Sequence, residues 1–347
     1  MDTQAFIESP CFNRIVELDG IDGSNGFRVQ YADYGYRNEA SEDEKVLLFI
    51  GPMFASRMVH VAKNDFAERH KVRIIAIDRP GFGGTDAVGT SKRLDVTRAI
   101  TIALLQHLGI RHVAVACQSG GTVYALDLLL HHPEILNPTA PYLAIGAPWV
   151  HPSHTGAFAM SMTNMLPGAA IGTLDKWVSL FQTISPIVTP ITGVAIGASQ
   201  IISGAGAVPS ADPGDDEDSK READLFPKCI KYAHTQNTTG LSDEAIFLMK
   251  KVEGSDGWGD WGDYDNLLPR LSAALRAAGK RLTVDVYLAE KDMLIGDAGT
   301  KGTVWLTECF EKESEVMDFE SHVVKGANHD TVWDLKHGVP GTVFLKL

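Results

Sequence analysis

The chain has 347 residues, of which 44% are hydrophobic and 22% are charged, and its formal net charge is −13. These proportions are ordinary for a globular protein with a large core. We expect one core with an insertion and not two independent domains. Because the balance is acidic and no basic face can be seen, we expect neither nucleic acid nor an acidic membrane surface as a partner.

The cysteines and the first residues bear on the compartment. The segment Met1–Ala5 is acidic and polar, which does not fit a secretory signal. The four cysteines are far apart in the sequence and form no CxxC pair, which favours a reduced chain over a disulfide framework or a zinc site. We therefore predict a cytoplasmic protein without a metal or another cofactor. The cysteines are Cys11, Cys117, Cys229 and Cys309.

Short apolar runs alternate with helical patterns along most of the chain. Continuous apolar runs suit parallel strands that are covered on both faces. The helical pattern at 94–108 ends at Gly109, a residue that favours helix termination. The alternation predicts an open, doubly wound and mostly parallel sheet whose ligands bind at the carboxyl ends of the strands. The predicted strands are Val46–Ile50, Arg73–Asp78, Val113–Cys117, Tyr142–Ile145 and Thr283–Leu288.

The third of these strands leads directly towards Ser119, which two glycines and a helical pattern at 122–130 follow. A strand, a sharp turn and a helix are the context of a nucleophile elbow, in which the turn exposes a serine hydroxyl above the sheet. Gly121 and Cys117 supply the small side chains that the turn needs, with Cys117 in the place of a glycine. The N–H of Gly120 and the helix N-terminus point to where an oxyanion would form. The alternative is a glycine-rich junction with an inert serine.

Residues 149–261 break this alternation. We predict that they form a helical cap, inserted after the sixth strand between the core segments 1–148 and 262–347. The stretch at about 212–224 is rich in charge and poor in hydrophobic residues, which predicts an exposed, mobile loop within the cap. Its carboxylates lack the ligand spacing of a calcium loop.

The uncharged run 177–211 is a candidate lining for a pocket. It is too rich in Ser, Thr, Gly and Pro to be a good membrane-spanning segment. Its Trp177 and Phe181 predict either simple packing of the cap or an apolar funnel for a lipophilic substrate. Three further side chains are candidate pocket residues, with core or loop packing as the alternative: His60, Trp149 and His151.

Two residues near the C-terminus are a candidate base and acid. A serine hydroxyl needs an adjacent base, and His329 lies in a Gly/Ala/Asn loop from which it can reach over the sheet. Its nearest rival, His322, lies inside a strand-like segment. Asp292 follows the last predicted strand and would accept the second ring N–H of the histidine, which fixes the tautomer. The alternatives to this acid are Glu290 and Asp297.

Five motifs along the chain resemble those of the α/β-hydrolase superfamily. The resemblance covers most of the chain outside the insertion, and it implies the order nucleophile, acid, base for Ser119, Asp292 and His329. Some members place the acid after the sixth strand, but Ala147–Pro152 contains no carboxylate. The elbow is similar to that of uncharacterised fungal members, many of which belong to secondary-metabolite pathways. The five motifs are Tyr31–Gly35, Val46–Pro52, Ile75–Thr85, Val286–Asp292 and Gly326–Asp330.

The oxyanion loop departs from the family pattern. Members often have His-Gly after the third strand, where this chain has Ile50-Gly51-Pro52-Met53-Phe54. Pro52 has no N–H and cannot be a donor. The resemblance therefore implies Gly120 as one oxyanion donor and leaves Met53 and Phe54 as candidates for the second.

The resemblance implies a serine hydrolase that forms an acyl-enzyme with an ester, thioester or lactone of a bulky or lipophilic small molecule. The same constellation also fits non-hydrolytic members that cyclise, condense or cleave a carbon skeleton. A third alternative is a receptor that binds its ligand without turnover. Epoxide hydrolases and haloalkane dehalogenases of this fold carry an aspartate at the elbow, so Ser119 disfavours those two activities.

Overall fold

A computed structural model describes residues 3–38, 44–54, 56–155 and 214–347. Within them lies one eight-stranded sheet with the strand order β1-β2-β4-β3-β5-β6-β7-β8. The strands are β1 (Arg14–Leu18), β2 (Phe27–Gly35), β3 (Lys45–Ile50), β4 (Val72–Ile77), β5 (Ala114–Ser119), β6 (Tyr142–Pro148), β7 (Leu282–Lys291) and β8 (Met317–Asn328).

The pairing of the strands confirms the predicted class of fold. The β1–β2 and β2–β4 pairs are antiparallel. From β4 through to β8 all pairs are parallel, so the sheet is mostly parallel as predicted. Numbered along the described residues, the helices are α1 (Thr3–Ile7), α2 (Asn64–Arg69), α3 (Arg93–His107), α4 (Gly121–His131), α5 (Glu217–His234), α6 (Gly240–Leu248), α7 (Tyr264–Ala277), α8 (Lys301–Glu311) and α9 (Val339–Lys346).

The central strands are covered on both faces. In β5 the side chains of Val115 and Cys117 belong to one apolar cluster, and those of Ala114 and Ala116 belong to another. Every residue of β5 and β6 is buried. This two-sided burial explains why these strands read in the sequence as continuous apolar runs without alternation.

The chain leaves the sheet after β6, as predicted, and the described part of the insertion returns onto the core. Helix α5 packs against the short 3-10 helix Arg57–Lys63. At the start of α6, the N–H of Gly240 donates to the carbonyl of Gly81 at 2.9 Å, and the N–H of Gly83 donates to that of Asn237 at 2.9 Å. The bounds of the cap at 149 and 261 stay a prediction.

The prediction of a mobile loop over the whole of 212–224 is wrong, because α5 begins within it, at Glu217. The Asp216 side chain caps the helix by accepting from the N–H of Ser219 at 2.8 Å. Acidic residues at the first turn also favour the N-terminal end of the helix dipole. The charge of this stretch therefore starts a helix, whose buried face further along includes Leu225 and Cys229.

The run 177–211, with Trp177 and Phe181, lies outside the described residues. Among the helices that are described, none has the length and apolar character that a membrane crossing requires.

Candidate active site

The turn between β5 and α4 places Ser119 in strained backbone. Its φ of 50° lies in the left-handed region, which residues other than glycine rarely adopt. A β-carbon on Gly121 would stand 2.3 Å from the carbonyl oxygen of Ile50 and 2.6 Å from that of Gly51. Only glycine allows the loop after β3 to approach the elbow this closely. The sequence motif of small residues around the serine thus has a direct steric reason.

Three side chains that each end or directly follow a strand are joined by hydrogen bonds. The Ser119 Oγ lies 2.8 Å from His329 Nε2. His329 Nδ1 lies 2.7 Å from Asp292 Oδ2. Since a carboxylate only accepts, Nδ1 carries the hydrogen and Nε2 is free to take the proton of the serine hydroxyl. All three residues are buried.

The acid of this group is held by the backbone that follows it. Asp292 Oδ1 accepts from the N–H groups of Leu294 and Ile295, at 2.9 and 3.0 Å. This leaves Oδ2 directed at the histidine. Burial of the His329 ring lowers its pKa, but the Asp292 carboxylate and the charge of Asp330 together outweigh burial, so the pKa lies above its ordinary value of 6.5.

The rival acids and the rival histidine have other partners. His322 Nε2 lies 2.9 Å from Asp285 Oδ1 on the neighbouring strand β7. Glu290 accepts from the N–H of Gly326 at 2.9 Å. Asp297 pairs with Lys291 and accepts from the N–H of Asp292. The structure therefore brings together the first-choice acid and base with Ser119, and gives the alternatives other roles.

Cys117 is the other nucleophilic side chain close to the elbow. It is fully buried, and burial raises the pKa of its thiol to about 12. Reactive cysteines have the opposite properties, with a lowered pKa and partial exposure. Cys117 therefore fills space behind the turn.

Of the candidate oxyanion donors, Met53 has the position closest to the elbow that the structure records. Its backbone nitrogen lies 3.4 Å from the point at which a β-carbon of Gly120 would stand. The side chain of Phe54 is buried and stacks on His234, with ring centroids 4.5 Å apart. The backbone nitrogen of Met53 thus lies close to Gly120, and the roles of both residues as oxyanion donors stay a prediction.

A hydrogen-bonded chain that the sequence did not reveal supports the loop of His329. Lys63 Nζ can only donate, so the His60 Nδ1 at 2.9 Å accepts and His60 Nε2 donates to Gln118 Oε1 at 3.0 Å. Gln118 Nε2 then donates to the carbonyl of Asp330 at 3.3 Å. Burial, with the charge of Lys63, holds the pKa of His60 well below 6.5. The sequence feature that could have indicated this hydrogen-bonded chain is the polar Gln118, one residue before Ser119 in an apolar strand.

Two other predicted pocket residues are engaged within the protein. Trp149 Nε1 donates to the carbonyl of Leu248 at 3.2 Å. His151 Nε2 donates to the carbonyl of Met249 at 3.3 Å, and burial lowers the pKa of this histidine to about 4. Both rings are buried. They hold the end of β6 against the returning segment, and their contact with a substrate stays a prediction.

One group of potential metal ligands occurs among the described residues. Oxygen or nitrogen atoms of Asp285, Glu320 and His322 lie within 4.8 Å of one another. The Asp285 carboxylate also accepts from the hydroxyl of Tyr142 at 2.6 Å and from Lys346 Nζ at 2.5 Å. A metal ion would have to displace the lysine. This group is accounted for as a salt-bridge cluster at the edge of the sheet.

Comparison with solved structures shows that this chain has the α/β-hydrolase fold. It is similar to an esterase from Exiguobacterium antarcticum, with a TM-score of 0.54, 14% identity, and coverage of 96% of this chain and 98% of the other. It is also similar to the enol-lactonase from Burkholderia xenovorans, with a TM-score of 0.54, 11% identity, and coverage of 96% of this chain and 100% of the other. An epoxide hydrolase from Vigna radiata has a TM-score of 0.52 and 16% identity, and the match covers 96% of each chain. No family model and no curated protein matches the sequence.

Proposed function

We propose that this protein is a serine hydrolase that cleaves an ester, thioester or lactone through an acyl-enzyme. The observation that carries the proposal is the hydrogen-bonded chain from Ser119 Oγ through His329 to Asp292, at 2.8 and 2.7 Å. Ser119 attacks the substrate carbonyl while His329 Nε2 takes its proton, and Asp292 stabilises the imidazolium that forms. Gly120 and Met53 donate their N–H groups to the oxyanion.

The histidine then works in the opposite direction. It gives its proton to the leaving alcohol, thiol or lactone oxygen, which frees that group and leaves the acyl chain on Ser119. Water enters, His329 takes a proton from it, and the water oxygen attacks the acyl carbonyl. His329 then returns the proton to Ser119 Oγ as the bond from Oγ to the acyl carbon breaks, which releases the acid and restores the serine. Each proton that moves in this cycle passes through His329 Nε2, so His329 is both the general base and the general acid.

Covalent labelling tests the nucleophile. We expect a fluorophosphonate probe to label Ser119 and no other serine, as read by mass spectrometry of the digested protein. Ser119→Ala should lose both the labelling and the ester turnover, whereas the matched variant Cys117→Ala should keep both. Labelling at another serine, or full activity in Ser119→Ala, would overturn the proposal.

We further propose that the substrate is bulky or lipophilic. The uncharged run 177–211 supports this in the sequence. A cavity beside Gln118 adds apolar walls from several elements, although its other lining residues are polar, namely His60, Lys63, Gln118, Asp330 and Asp334. Burial of one more methylene contributes about 0.8 kcal/mol, which is a factor of about four in kcat/KM. The apolar walls are Pro52, Phe54, Val59, Phe226 and Ile230.

A series of p-nitrophenyl esters from acetate to decanoate tests this preference. We expect kcat/KM to rise with acyl length and acetate to be cleaved slowly. A flat series, or one that falls from acetate onwards, would contradict the apolar pocket and leave the nucleophile proposal untouched.

Product analysis distinguishes hydrolysis from its alternatives. In water enriched in oxygen-18, a hydrolase puts the heavy oxygen into the acid that it releases. Conversion of a thioester or lactone to a cyclised, condensed or cleaved product without the label would favour the non-hydrolytic class. Saturable binding without turnover would favour a receptor on the same scaffold.

A further inference from the structure

The loop after β3 is held from behind by an arginine. Arg79, two residues past the end of β4, is buried. Its Nη1 donates to the carbonyl of Gly51 at 2.7 Å, and its Nη2 donates to the carbonyl of Pro52 at 2.5 Å. A planar guanidinium that holds two successive carbonyls fixes both the position and the tilt of their peptide planes.

A carboxylate from the insertion holds the arginine in turn. Glu244 in α6 is fully buried, and its Oε1 accepts from Arg79 Nη2 at 2.6 Å and from Nε at 3.1 Å. Its Oε2 accepts from Arg93 Nε at 2.5 Å and from the hydroxyl of Tyr124 at 2.9 Å. Burial raises the pKa of Glu244, but the charges of Arg79 and Arg93 outweigh burial and hold it below its ordinary value.

The attachment of α6 to the turn of Arg79 is tight. A β-carbon on Gly240 would stand 2.5 Å from the carbonyl oxygen of Pro80, so only glycine lets the helix start here. Two backbone hydrogen bonds across this contact, Gly240 to Gly81 and Gly83 to Asn237, hold the helix in place. Glu244 is therefore held at a fixed distance from the loop after β3.

This arrangement has a consequence for the oxyanion. In a trans peptide unit the carbonyl and the following N–H point in opposite directions, and the described residues contain no cis bond. When Arg79 holds the carbonyl of Pro52, the N–H of Met53 must face away from Arg79. The Met53 nitrogen lies beside Gly120, 3.4 Å from where its β-carbon would stand.

We infer that Arg79 is a positioning residue that directs the N–H of Met53 into the oxyanion hole, with Glu244 holding Arg79 in place. The hole then depends on the docking of α6, so the insertion takes part in the chemistry through its contact with the loop. The inference rests on the proposed hydrolase function.

The chain offers a matched pair of variants to test this. Arg79→Lys and Arg93→Lys make the same change in two buried partners of Glu244, but in the described structure the hydrogen bond of Arg93 goes to Glu244 and not to the oxyanion loop. Loss of a whole oxyanion donor costs about 10²–10³ in kcat, so we expect a misdirected one to cost roughly 10–100-fold in Arg79→Lys. Arg93→Lys should stay within about threefold, with KM little changed in both.

A second readout separates positioning from general damage to the fold. A trifluoromethyl ketone that adds to Ser119 places an oxyanion in the hole, and the corresponding alkane-chain alcohol does not. Arg79→Lys should weaken the ketone by the same factor as kcat/KM and leave the alcohol unchanged. Arg93→Lys should change the affinity for the ketone and the affinity for the alcohol by no more than about threefold.

Three results would overturn the inference. They are equal kcat in the two variants, a loss confined to KM, and parallel loss of ketone and alcohol binding. If Arg79→Lys does not fold, Glu244→Gln should show the same selective loss of ketone affinity, and its absence there is equally decisive. Failure of the hydrolase proposal is recognised separately, because Ser119→Ala would then keep full ester turnover in the otherwise unchanged protein.

Discussion

The two halves of this site are built in different ways. Ser119 and Asp292 are held by the strand ends that carry them, and the acid is fixed by the N–H groups of Leu294 and Ile295 just after it. His329 follows a strand end in the same way, and its loop also accepts a hydrogen bond from Gln118, the neighbour of Ser119. The oxyanion loop is held by a side chain from another turn, which is itself held by a residue 165 positions further along the chain. Local support can be seen in sequence motifs, whereas support from a distance cannot.

The sharpest test of the locally supported half is the histidine. His329→Ala removes the only base that reaches Ser119 among the described residues, and we expect kcat to fall by about 10⁴–10⁶. His322→Ala is the matched control, because His322 bonds to Asp285 in the neighbouring strand and should change kcat by less than about threefold. Steady-state kinetics on a p-nitrophenyl ester measures both. A reversed result would move the base to His322.

The acid should give the next largest effect. In Asp292→Asn the amide can present its N–H₂ to the ring, which favours the wrong tautomer of His329, and we expect kcat to fall by roughly 10³–10⁴. Asp297 lies one hydrogen bond further from His329, because its carboxylate accepts from the N–H of Asp292. Asp297→Asn should therefore lower kcat by less than about tenfold. Both variants are measured as kcat under saturating ester. Equal losses of kcat would mean that Asp297 contributes more to the function of the triad acid than its contacts indicate.

Much of the locally supported half could be predicted from the sequence. The run 113–117 anticipates β5, which the structure places at Ala114–Ser119. The family resemblance implies the order of Ser119, Asp292 and His329 along the chain. Parallel strands whose carboxyl ends share one edge explain why the three residues meet. Buried strands leave a strong signal because both of their faces must be apolar.

The remotely supported half could not be predicted in the same way. Glu244 lies in a helix without a motif, and its partners Arg79 and Arg93 are charged residues that sequence reasoning normally places on the surface. Their burial depends on a network that exists only once the insertion docks. The acidic stretch before Leu225 shows the same limit, because its charges predict a loop and only the buried face of α5 reveals the helix.

The contact between the two halves can be broken with one methyl group. In Gly121→Ala the added β-carbon would stand 2.3 Å from the carbonyl oxygen of Ile50, so the oxyanion loop must move away from the elbow. We expect kcat to fall by roughly 10–100-fold through a displaced Met53 N–H, since loss of one donor costs about 10²–10³. Gly89→Ala is the control, because nothing lies within 4 Å of its β-carbon and its φ is negative.

A normal kcat in Gly121→Ala, with normal thermal unfolding, would mean that the loop can shift without loss of the oxyanion donor. The same kcat loss in Gly89→Ala would point instead to a general sensitivity of the fold. Either result would mean that the close approach of Gly121 to the carbonyl of Ile50 does not control the oxyanion donor.

The smallest expected effect concerns the charge beside the base. His329 must be neutral to accept the serine proton, and its pKa is raised, because the charges of Asp292 and Asp330 together outweigh burial. The acid limb of kcat/KM against pH should therefore lie above 6.5, with activity lost as pH falls through it.

Asp330 also raises this pKa through its charge. Asp330→Asn removes a negative charge that favours the imidazolium, so the limb should move to lower pH while kcat at pH 8 stays within about twofold. Asp318→Asn, which changes an exposed carboxylate paired with Arg281, is the control and should leave the limb in place. A limb that stays in place in Asp330→Asn would mean that the charge of Asp330 does not act on the base, and a limb that moves to higher pH would contradict the direction of its effect.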